Sequence, residues 1–132
     1  MDIVSNGIKI QFDETTLAFA FQKESGCLWK WDKAYAPYLE CEEGNVLFSD
    51  AGEICHEAYH TGIGEGILST YGGFVKDGKR VPYQFKTLVW AETVTGEVYC
   101  EWIPVNEEGL TVKKVFWPGP MEFYEKRADW YT

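Results

Sequence analysis

Apolar residues recur at every second position in several short segments of the first half of the chain. Ile8, Ile10 and Phe12 alternate with polar residues, and Leu17 to Phe21 repeats the pattern. A period of two places successive side chains on opposite faces of an extended strand. Short apolar stretches near Trp29 and Val46 extend the same interpretation. The pattern predicts strands at 8–12, 17–21, 27–31 and 45–48.

The second half predicts three strands in a row. From Tyr83 to Trp90 one face carries Tyr, Phe, Thr and Val, and the other carries Gln, Lys, Leu and Trp. Thr95-Gly96 predicts a turn into a strand over 98–105, and residues 106–109 predict a turn into a strand over 110–117. Short glycine-containing connections indicate an antiparallel meander. Pro118 then ends it, because proline donates no ladder hydrogen bond. Residues 121–131 fit either an extended tail or a short helix.

Composition agrees with this pattern. Aromatic residues make up 17% of the 132 residues, and 13 glycines interrupt the chain at short intervals. Both features are typical of β domains. The length suits one domain of roughly 150 residues. We therefore predict a single all-β domain over 1–132, an antiparallel β-sandwich of about eight to ten strands. A closed barrel is the alternative, and the period of two excludes a helix bundle.

The charge narrows the possible partners. Lys and Arg number 12 against 21 Asp and Glu, so the net charge is −9. An acidic surface repels phosphate backbones and anionic lipid, which makes nucleic acid and membranes poor partners. The N-terminus lacks a basic stretch followed by an apolar one, so no signal peptide is expected and the predicted location is cytoplasmic. No motif predicts a cofactor.

The four cysteines form no metal-binding or redox pair. They lie at positions 27, 41, 55 and 100, and none has the spacing of a CxxC motif. A cytosolic protein keeps its thiols reduced. We predict free cysteines that are mostly buried.

The string His56-Glu57-Ala58-Tyr59-His60 matches the zinc-peptidase pattern HExxH. That chemistry needs a helix, which places the two imidazoles on one face with a glutamate beside the metal-bound water. The glycines at 62, 64 and 66 leave room for only a short helix. His56 and His60 are the only two histidines in the chain, so a third metal ligand would have to be a glutamate or a cysteine. We predict a strand here, with His56 and His60 on one face, and no metal site.

The glycines after this string do not match a phosphate-binding loop. Residues 61–66 lack the Lys-Ser/Thr pair of a P-loop, and Ile67 stands where a dinucleotide fingerprint has glycine. We predict a tight bend between strands.

Trp29 and Trp31 lie two residues apart, so on a strand they share a face. Such rings form platforms for sugars or pack in a core. No spacing among the acidic residues singles out a catalytic carboxylate pair, and no Ser-His-Asp arrangement is apparent. Catalytic residues are therefore not predicted.

Several strings together resemble the N-terminal domain of family 31 glycoside hydrolases. They are residues 59–67, residues 101–105, and residues 115–120 followed by Trp130-Tyr131, and the resemblance spans about residues 55 to 131. It implies a galactose mutarotase-like β-sandwich that packs on a catalytic barrel of the same longer chain. The catalytic aspartates of that family belong to the barrel, so none is carried over to this chain.

The resemblance also implies that the segment around Glu65 contributes a loop to the rim of a sugar pocket, although Gly66 stands where many members carry an arginine. With Trp29, Trp31 and Tyr71, Glu65 completes the set of candidate substrate-binding residues. Two alternatives stay open, a free-standing carbohydrate-binding module and a small zinc hydrolase.

Overall fold

A computed structural model describes residues 1–5, 7–24, 26, 28–31, 35–119 and 121–124. Within these ranges almost all of the regular structure is extended, with one 3₁₀ turn at Phe48–Asp50. The strands are β1 (Asp2–Ser5), β2 (Ile8–Phe12), β3 (Phe19–Lys23), β4 (Leu28–Trp31), β5 (Tyr38–Cys41), β6 (Gly44–Leu47), β7 (Glu53–His60), β8 (Gly64–Gly72), β9 (Val75–Lys76), β10 (Lys79–Arg80), β11 (Gln84–Glu92), β12 (Val98–Asn106), β13 (Val112–Phe116) and β14 (Met121–Tyr124).

The strands pair antiparallel throughout and form two main sheets. One has the order β1-β2-β3-β4-β14 and the other the order β12-β11-β8-β7. A third sheet, β13-β5-β6, and the short hairpin β9-β10 complete the described part of the chain. The all-β antiparallel sandwich predicted from the alternation is confirmed, and the strands are more numerous than expected.

Aromatic rings fill the space between the layers. Phe85 lies at the centre, with ring centroids 5.1 Å from Tyr71, 4.8 Å from Phe48 and 5.9 Å from Phe74. Each of these rings is at most 1% exposed. Full burial of a large apolar side chain contributes roughly 1.5 to 3 kcal/mol to stability, so this cluster is a principal source of the stability of the domain.

The predicted meander is confirmed for two of its three strands. β11 pairs with β12 across the turn at 93–96, but β13 does not continue that sheet. Instead, β13 pairs with β5, and Phe116 stacks on Tyr38 with ring centroids 5.0 Å apart. The second edge of β11 is occupied by β8. Local turn signals predicted the β11–β12 hairpin, whereas β5 lies about 70 residues from β13 and carries no local signal.

Residues 121–124 are extended, since β14 pairs with β4. The rest of the ambiguous segment, 125–131, lies outside the described residues, as does Cys27. Of the other cysteines, Cys41 is buried and Cys100 half-buried, whereas Cys55 is exposed on the edge strand β7. The prediction of mostly buried thiols is wrong for Cys55. Among the described residues, no helix has the length and apolar character needed to cross a membrane.

Candidate functional site

The HExxH string lies on β7 as a strand, as predicted. In register with β8, His56 stands opposite Ser69, Glu57 opposite Leu68 and His60 opposite Glu65. Because strand side chains alternate, the two histidines share one face and Glu57 points to the other side. The arrangement of a zinc peptidase, with the glutamate beside two metal-bound imidazoles, is absent from this strand.

Both histidines have partners of their own. Nδ1 of His56 lies 2.7 Å from the hydroxyl oxygen of Ser69, and its ring packs on Phe12 with centroids 4.7 Å apart. Burial lowers the pKa of His56. Nδ1 of His60 lies 3.6 Å from a carboxylate oxygen of Glu65. Within the described ranges, no group of three or more His, Cys, Asp or Glu side chains is placed to hold a metal ion.

The glycine segment divides into a turn and a strand. The bend is confined to residues 61–63, where the hydroxyl of Thr61 accepts a hydrogen bond from the Gly64 amide at 2.9 Å. Gly64 and Gly66 lie inside β8. A Cβ on Gly66 would stand 2.5 Å from the Cβ of Trp90 and would overlap the carbonyl oxygen of Val89. These two glycines therefore permit close packing of β8 against β11, and the prediction that they form the bend is wrong.

Two candidate platform residues are buried. Trp31 and Tyr71 are each 1% exposed. The indole nitrogen of Trp31 donates a hydrogen bond to the carbonyl of Tyr35 at 2.6 Å, and burial raises the pKa of Tyr71 to about 12. Neither ring can form an open platform for sugars in this fold, because packing between the sheets covers both.

Glu65 and Trp29 are more accessible. Glu65 lies on β8, not on a loop, and its side chain is 38% exposed beside His60. Trp29 is half-buried at the margin of the core, with the ammonium of Lys23 5.4 Å from its ring centroid. The four predicted residues do not converge on one site, since Trp29 and Trp31 line different clefts and Glu65 and Tyr71 line neither of them.

The cleft that contains Trp29 has a volume of about 440 Å³. Residues of β3 and β4 form one wall and the start of β12 forms the other, so the cleft lies between the two main sheets. The β12 side chains that face it are Val98 and Cys100, which stand in register with the buried Ala91 and Val89. Its lining consists of Phe19, Phe21, Lys23, Trp29, Glu97, Val98, Tyr99, Cys100 and Pro118. Small-molecule sites in proteins typically occupy roughly 300 to 1,000 Å³ and combine an apolar lining with a few polar groups. This cleft has that volume and an apolar lining.

On the outer face of the same sheet, Tyr99 of β12 is held by its neighbours. Its hydroxyl donates to a carboxylate oxygen of Glu97, which raises the pKa of Tyr99 to about 12. Its ring stacks on Trp90 with centroids 4.9 Å apart, and the indole nitrogen of Trp90 donates to Glu101 at 2.9 Å. The sequence interpretation missed Tyr99 and Glu97, because the predicted turn at Thr95-Gly96 pairs Trp90 with Glu101, whereas the structure pairs Trp90 with Tyr99.

No protein-family model and no curated protein matches the chain. Solved structures do. The α-N-acetylgalactosaminidase NagBb from Bifidobacterium bifidum, in complex with GalNAc, is 35% identical to this chain, with a TM-score of 0.80 over 92% of this chain and 18% of that chain. Its complex with Gal-NHAc-DNJ gives a TM-score of 0.83 at 35% identity over 92% of this chain and 19% of that chain. The ligand-free enzyme gives 0.78 at 34% identity, over 93% and 19%.

The chain thus spans less than a fifth of the length of the structures it matches. Its similarity is to one domain-sized part of a glycosidase.

Proposed function

We propose that this chain is a non-catalytic β-sandwich domain of a longer glycosidase and packs against a catalytic barrel of the same protein. One observation carries the proposal. About nine-tenths of this chain aligns at 35% identity with less than a fifth of an α-N-acetylgalactosaminidase. A domain of this size leaves most of such a protein, including room for a catalytic unit, outside the 132 residues.

The side chains of β7 agree with a supporting role. His56 packs into the sandwich and bonds Ser69, and Glu57 points away from both histidines. General acid–base catalysis requires a base within hydrogen-bond reach of the reacting group in an accessible site. His56 instead stabilises the inner face of a sheet, so the reaction is assigned to the barrel.

For the whole protein we propose hydrolysis of α-linked hexosaminides, with α-N-acetylgalactosaminides as the first substrates to test. The matched structures support this choice, because each is named as an α-N-acetylgalactosaminidase. The more specific resemblance to family 31 rests on the sequence strings and stays a prediction.

The experiment has two parts. First, the coding DNA downstream of the Thr132 codon is sequenced, and an uninterrupted reading frame long enough for a barrel is expected. Second, hydrolysis of p-nitrophenyl α-N-acetylgalactosaminide is assayed with the 132-residue chain and with the protein encoded by the whole frame. Only the longer protein should hydrolyse this substrate. A stop codon directly after Thr132, or turnover by the short chain, would contradict the proposal.

A free-standing carbohydrate-binding module is the second candidate, and the cleft beside Trp29 is the observation that favours it. The two candidates differ in the reading frame beyond Thr132. For a free-standing module, the reading frame would end near Thr132 and the chain would bind sugar. For an accessory domain, the frame continues into a barrel, whether or not the cleft binds sugar.

A further inference from the structure

The sheet β12-β11-β8-β7 carries apolar side chains on the face that points away from the sandwich. Odd-numbered residues of β8 and β11, such as Ile67 and Val89, are buried in the core, so the even-numbered residues of these strands face outward. The pairing of β11 with β12 continues this outward face onto Tyr99 and Ile103. We call five of these side chains the outer patch: Leu68, Leu88, Trp90, Tyr99 and Ile103.

The outer patch is separate from the core of the sandwich. The other main sheet packs on the inner face, where Phe12 contacts His56. The third sheet does the same, because Phe48 contacts Phe85. Leu88 is buried although it is not part of the core cluster between the sheets. The sheets of the described residues therefore use the inner face and leave the outer patch to another partner.

The composition of the outer patch is that of an interface centre. Tyr99 and Ile103 are exposed, and Trp90 is half-buried. Gly64 and Gly66 let the Trp90 side chain lie close against β8, which keeps the surface flat. Aromatic side chains are enriched at the centre of protein–protein interfaces, where charged side chains are scarce.

Acidic side chains border the outer patch. Glu57 and Glu101 end the row that contains Leu68 and Leu88. Two copies in face-to-face contact would bring carboxylates together, and each copy has a net charge of −9. Like charges across an interface oppose association. The border instead suits a partner surface that has basic side chains around an apolar centre.

The size of the outer patch fits a contact between domains of one chain. β8, β11 and β12 each contain nine residues. With a rise of roughly 3.3 Å per residue and roughly 4.8 Å between strands, they form a face of roughly 30 by 14 Å. Two such surfaces bury roughly 850 Å², which lies within the roughly 600 to 1,500 Å² of inter-domain contacts but below the roughly 1,200 to 2,000 Å² of stable complexes.

The last described strand ends on the same side of the domain. β14 pairs with β4, and Tyr124 stands opposite Leu28. Trp29 of β4 and Val98 of β12 line one cleft, so this end of β14 lies beside β12. Eight residues, the length of 125–132, span up to roughly 26 to 29 Å, and packed sheets are roughly 10 Å apart. A chain that continues past residue 132 can therefore reach the outer patch.

We propose that the outer patch is the surface on which the catalytic barrel of the longer protein packs, through an apolar area bordered by basic side chains. The presence of a barrel rests on the proposed function, and the outer patch is the surface that meets it. In the longer protein, Tyr99 and Ile103 are then shielded from water.

Hydroxyl-radical footprinting of the protein encoded by the whole reading frame tests this contact without any substitution. Tyr99 is compared with Tyr35, because these tyrosines are 36% and 50% exposed in this domain and would react at similar rates without the barrel. Since packing excludes water, Tyr99 should be oxidised at least about fivefold more slowly than Tyr35. Peptide mass spectrometry measures both rates, and denaturant should make them equal.

Ile103→Asp is the test variant, and Val4→Asp is the matched control. Both place a carboxylate at an exposed position on an outward strand face, Ile103 on β12 and Val4 on β1 of the other main sheet. A carboxylate buried against an apolar surface is unfavourable. In the longer protein, Ile103→Asp should therefore raise the oxidation rate of Tyr99 to that of Tyr35, and Val4→Asp should leave Tyr99 protected. Circular dichroism confirms that each variant is folded.

Three results would overturn the proposal. They are equal oxidation of Tyr99 and Tyr35 in the longer protein, protection that Ile103→Asp leaves unchanged, and protection that disappears on dilution as a dimer dissociates. The last, followed by sedimentation velocity, would make a second copy the occupant. A longer protein that hydrolyses its substrate but leaves Tyr99 unprotected contradicts the docking surface alone. A stop codon after Thr132 contradicts the accessory-domain proposal itself.

Discussion

His56 shows at the scale of one residue how burial changes chemistry. Its ring lies between Phe12 and Tyr71, and its Nε2 is buried without a hydrogen-bond partner among the described residues. Burial lowers the pKa of His56, and the N-terminal ammonium adds to this, while the Glu14 carboxylate opposes it. A buried neutral histidine makes stability depend on pH.

The folded pKa of His56 lies below the ordinary value of about 6.5. At a pH between these two pKa values, His56 binds a proton in the unfolded chain but not in the folded chain. The contribution of His56 to the free energy of unfolding is therefore complete above about pH 6.5. It falls as the pH drops toward the folded pKa, and changes no further below it.

We expect His56→Gln to reduce the loss of melting temperature between about pH 7.5 and pH 5 relative to the wild type. Thermal unfolding followed by circular dichroism at several pH values measures this. His60→Gln is the control, because His60 has a 65% exposed side chain, and it should keep the wild-type dependence. An identical pH dependence in wild type and His56→Gln would show that the histidine does not titrate with folding.

The cysteines should differ strongly in reactivity. Burial raises the pKa of Cys100 to about 12, whereas Cys55 is exposed on β7. Because the thiolate is the reactive form, native protein treated with iodoacetamide should be modified at Cys55 at least about a hundredfold faster than at Cys100. Peptide mass spectrometry measures both rates, and denaturant should abolish the difference. Equal rates in the native protein would contradict the burial of Cys100.

At the scale of elements, the pairing of β8 with β11 depends on residues that lack side chains. Gly66 lies opposite Trp90, and Trp90 lies opposite Tyr99 on the next strand. Because Gly66 has no side chain, the Trp90 indole can approach β8, and the Tyr99 ring stacks on the same indole. Gly66, Trp90 and Tyr99 thus form one row across three strands, on the outer face of the sheet.

Gly66→Ala should lower the free energy of unfolding by about 1 to 3 kcal/mol or more, because the added methyl group overlaps the Val89 carbonyl and the Trp90 Cβ. Gly62→Ala is the matched control in the same segment, since a Cβ there meets no atom within 4 Å. It should change stability by less than about 0.5 kcal/mol. Urea unfolding compares the two, and equal effects would refute the close approach of β8 and β11.

At the scale of the whole molecule, Phe48 joins the third sheet to the main sandwich. It lies in the 3₁₀ turn between β6 and β7, is 0% exposed, and contacts Tyr71 and Phe85 with ring centroids 5.2 and 4.8 Å away. The sheet β13-β5-β6 thereby shares the central aromatic cluster instead of forming a core of its own.

Phe48→Ala should lower the free energy of unfolding by about 3 to 5 kcal/mol, the usual cost of deleting a buried aromatic ring. The loss should appear as one cooperative transition, since the ring belongs to the shared core. Val94→Ala, at an 80% exposed position, should stay within about 0.5 kcal/mol of the wild type. Urea unfolding by fluorescence measures both, and a loss below about 1 kcal/mol would place Phe48 outside the shared core.

Local sequence information predicted the strands whose two faces differ. β2 and β11 alternate clearly, because one face of each meets the core and the other meets polar surroundings. β8 was missed, since glycines at 64 and 66 resemble a loop when the partner Trp90 is unknown. The register of the β11–β12 hairpin was also open. A two-residue turn at Thr95-Gly96 would pair Trp90 with Glu101, whereas the structure pairs it with Tyr99.

The same division applies to the candidate site. Trp29 was singled out because a tryptophan pair on one strand is conspicuous, and it lines a cleft. Trp31 and Tyr71 are aromatic too and are buried. Side-chain type alone does not distinguish a ring in a cleft from a ring in a core. The cleft itself depends on how close β12 lies to β3 and β4, which no local pattern encodes.

Side-chain alternation, glycine and proline positions and charge were sufficient for the fold class, the strand character of 54–61 and the expectation that nucleic acid is a poor partner. These properties arise from contacts between near neighbours in the chain and from its composition. The pairing of β13 with β5, the burial of Trp31 and Tyr71, and the cleft beside Trp29 came only with the folded chain. They depend on packing between residues far apart in sequence, where the free energy of burial selects one arrangement among many that satisfy the same local pattern.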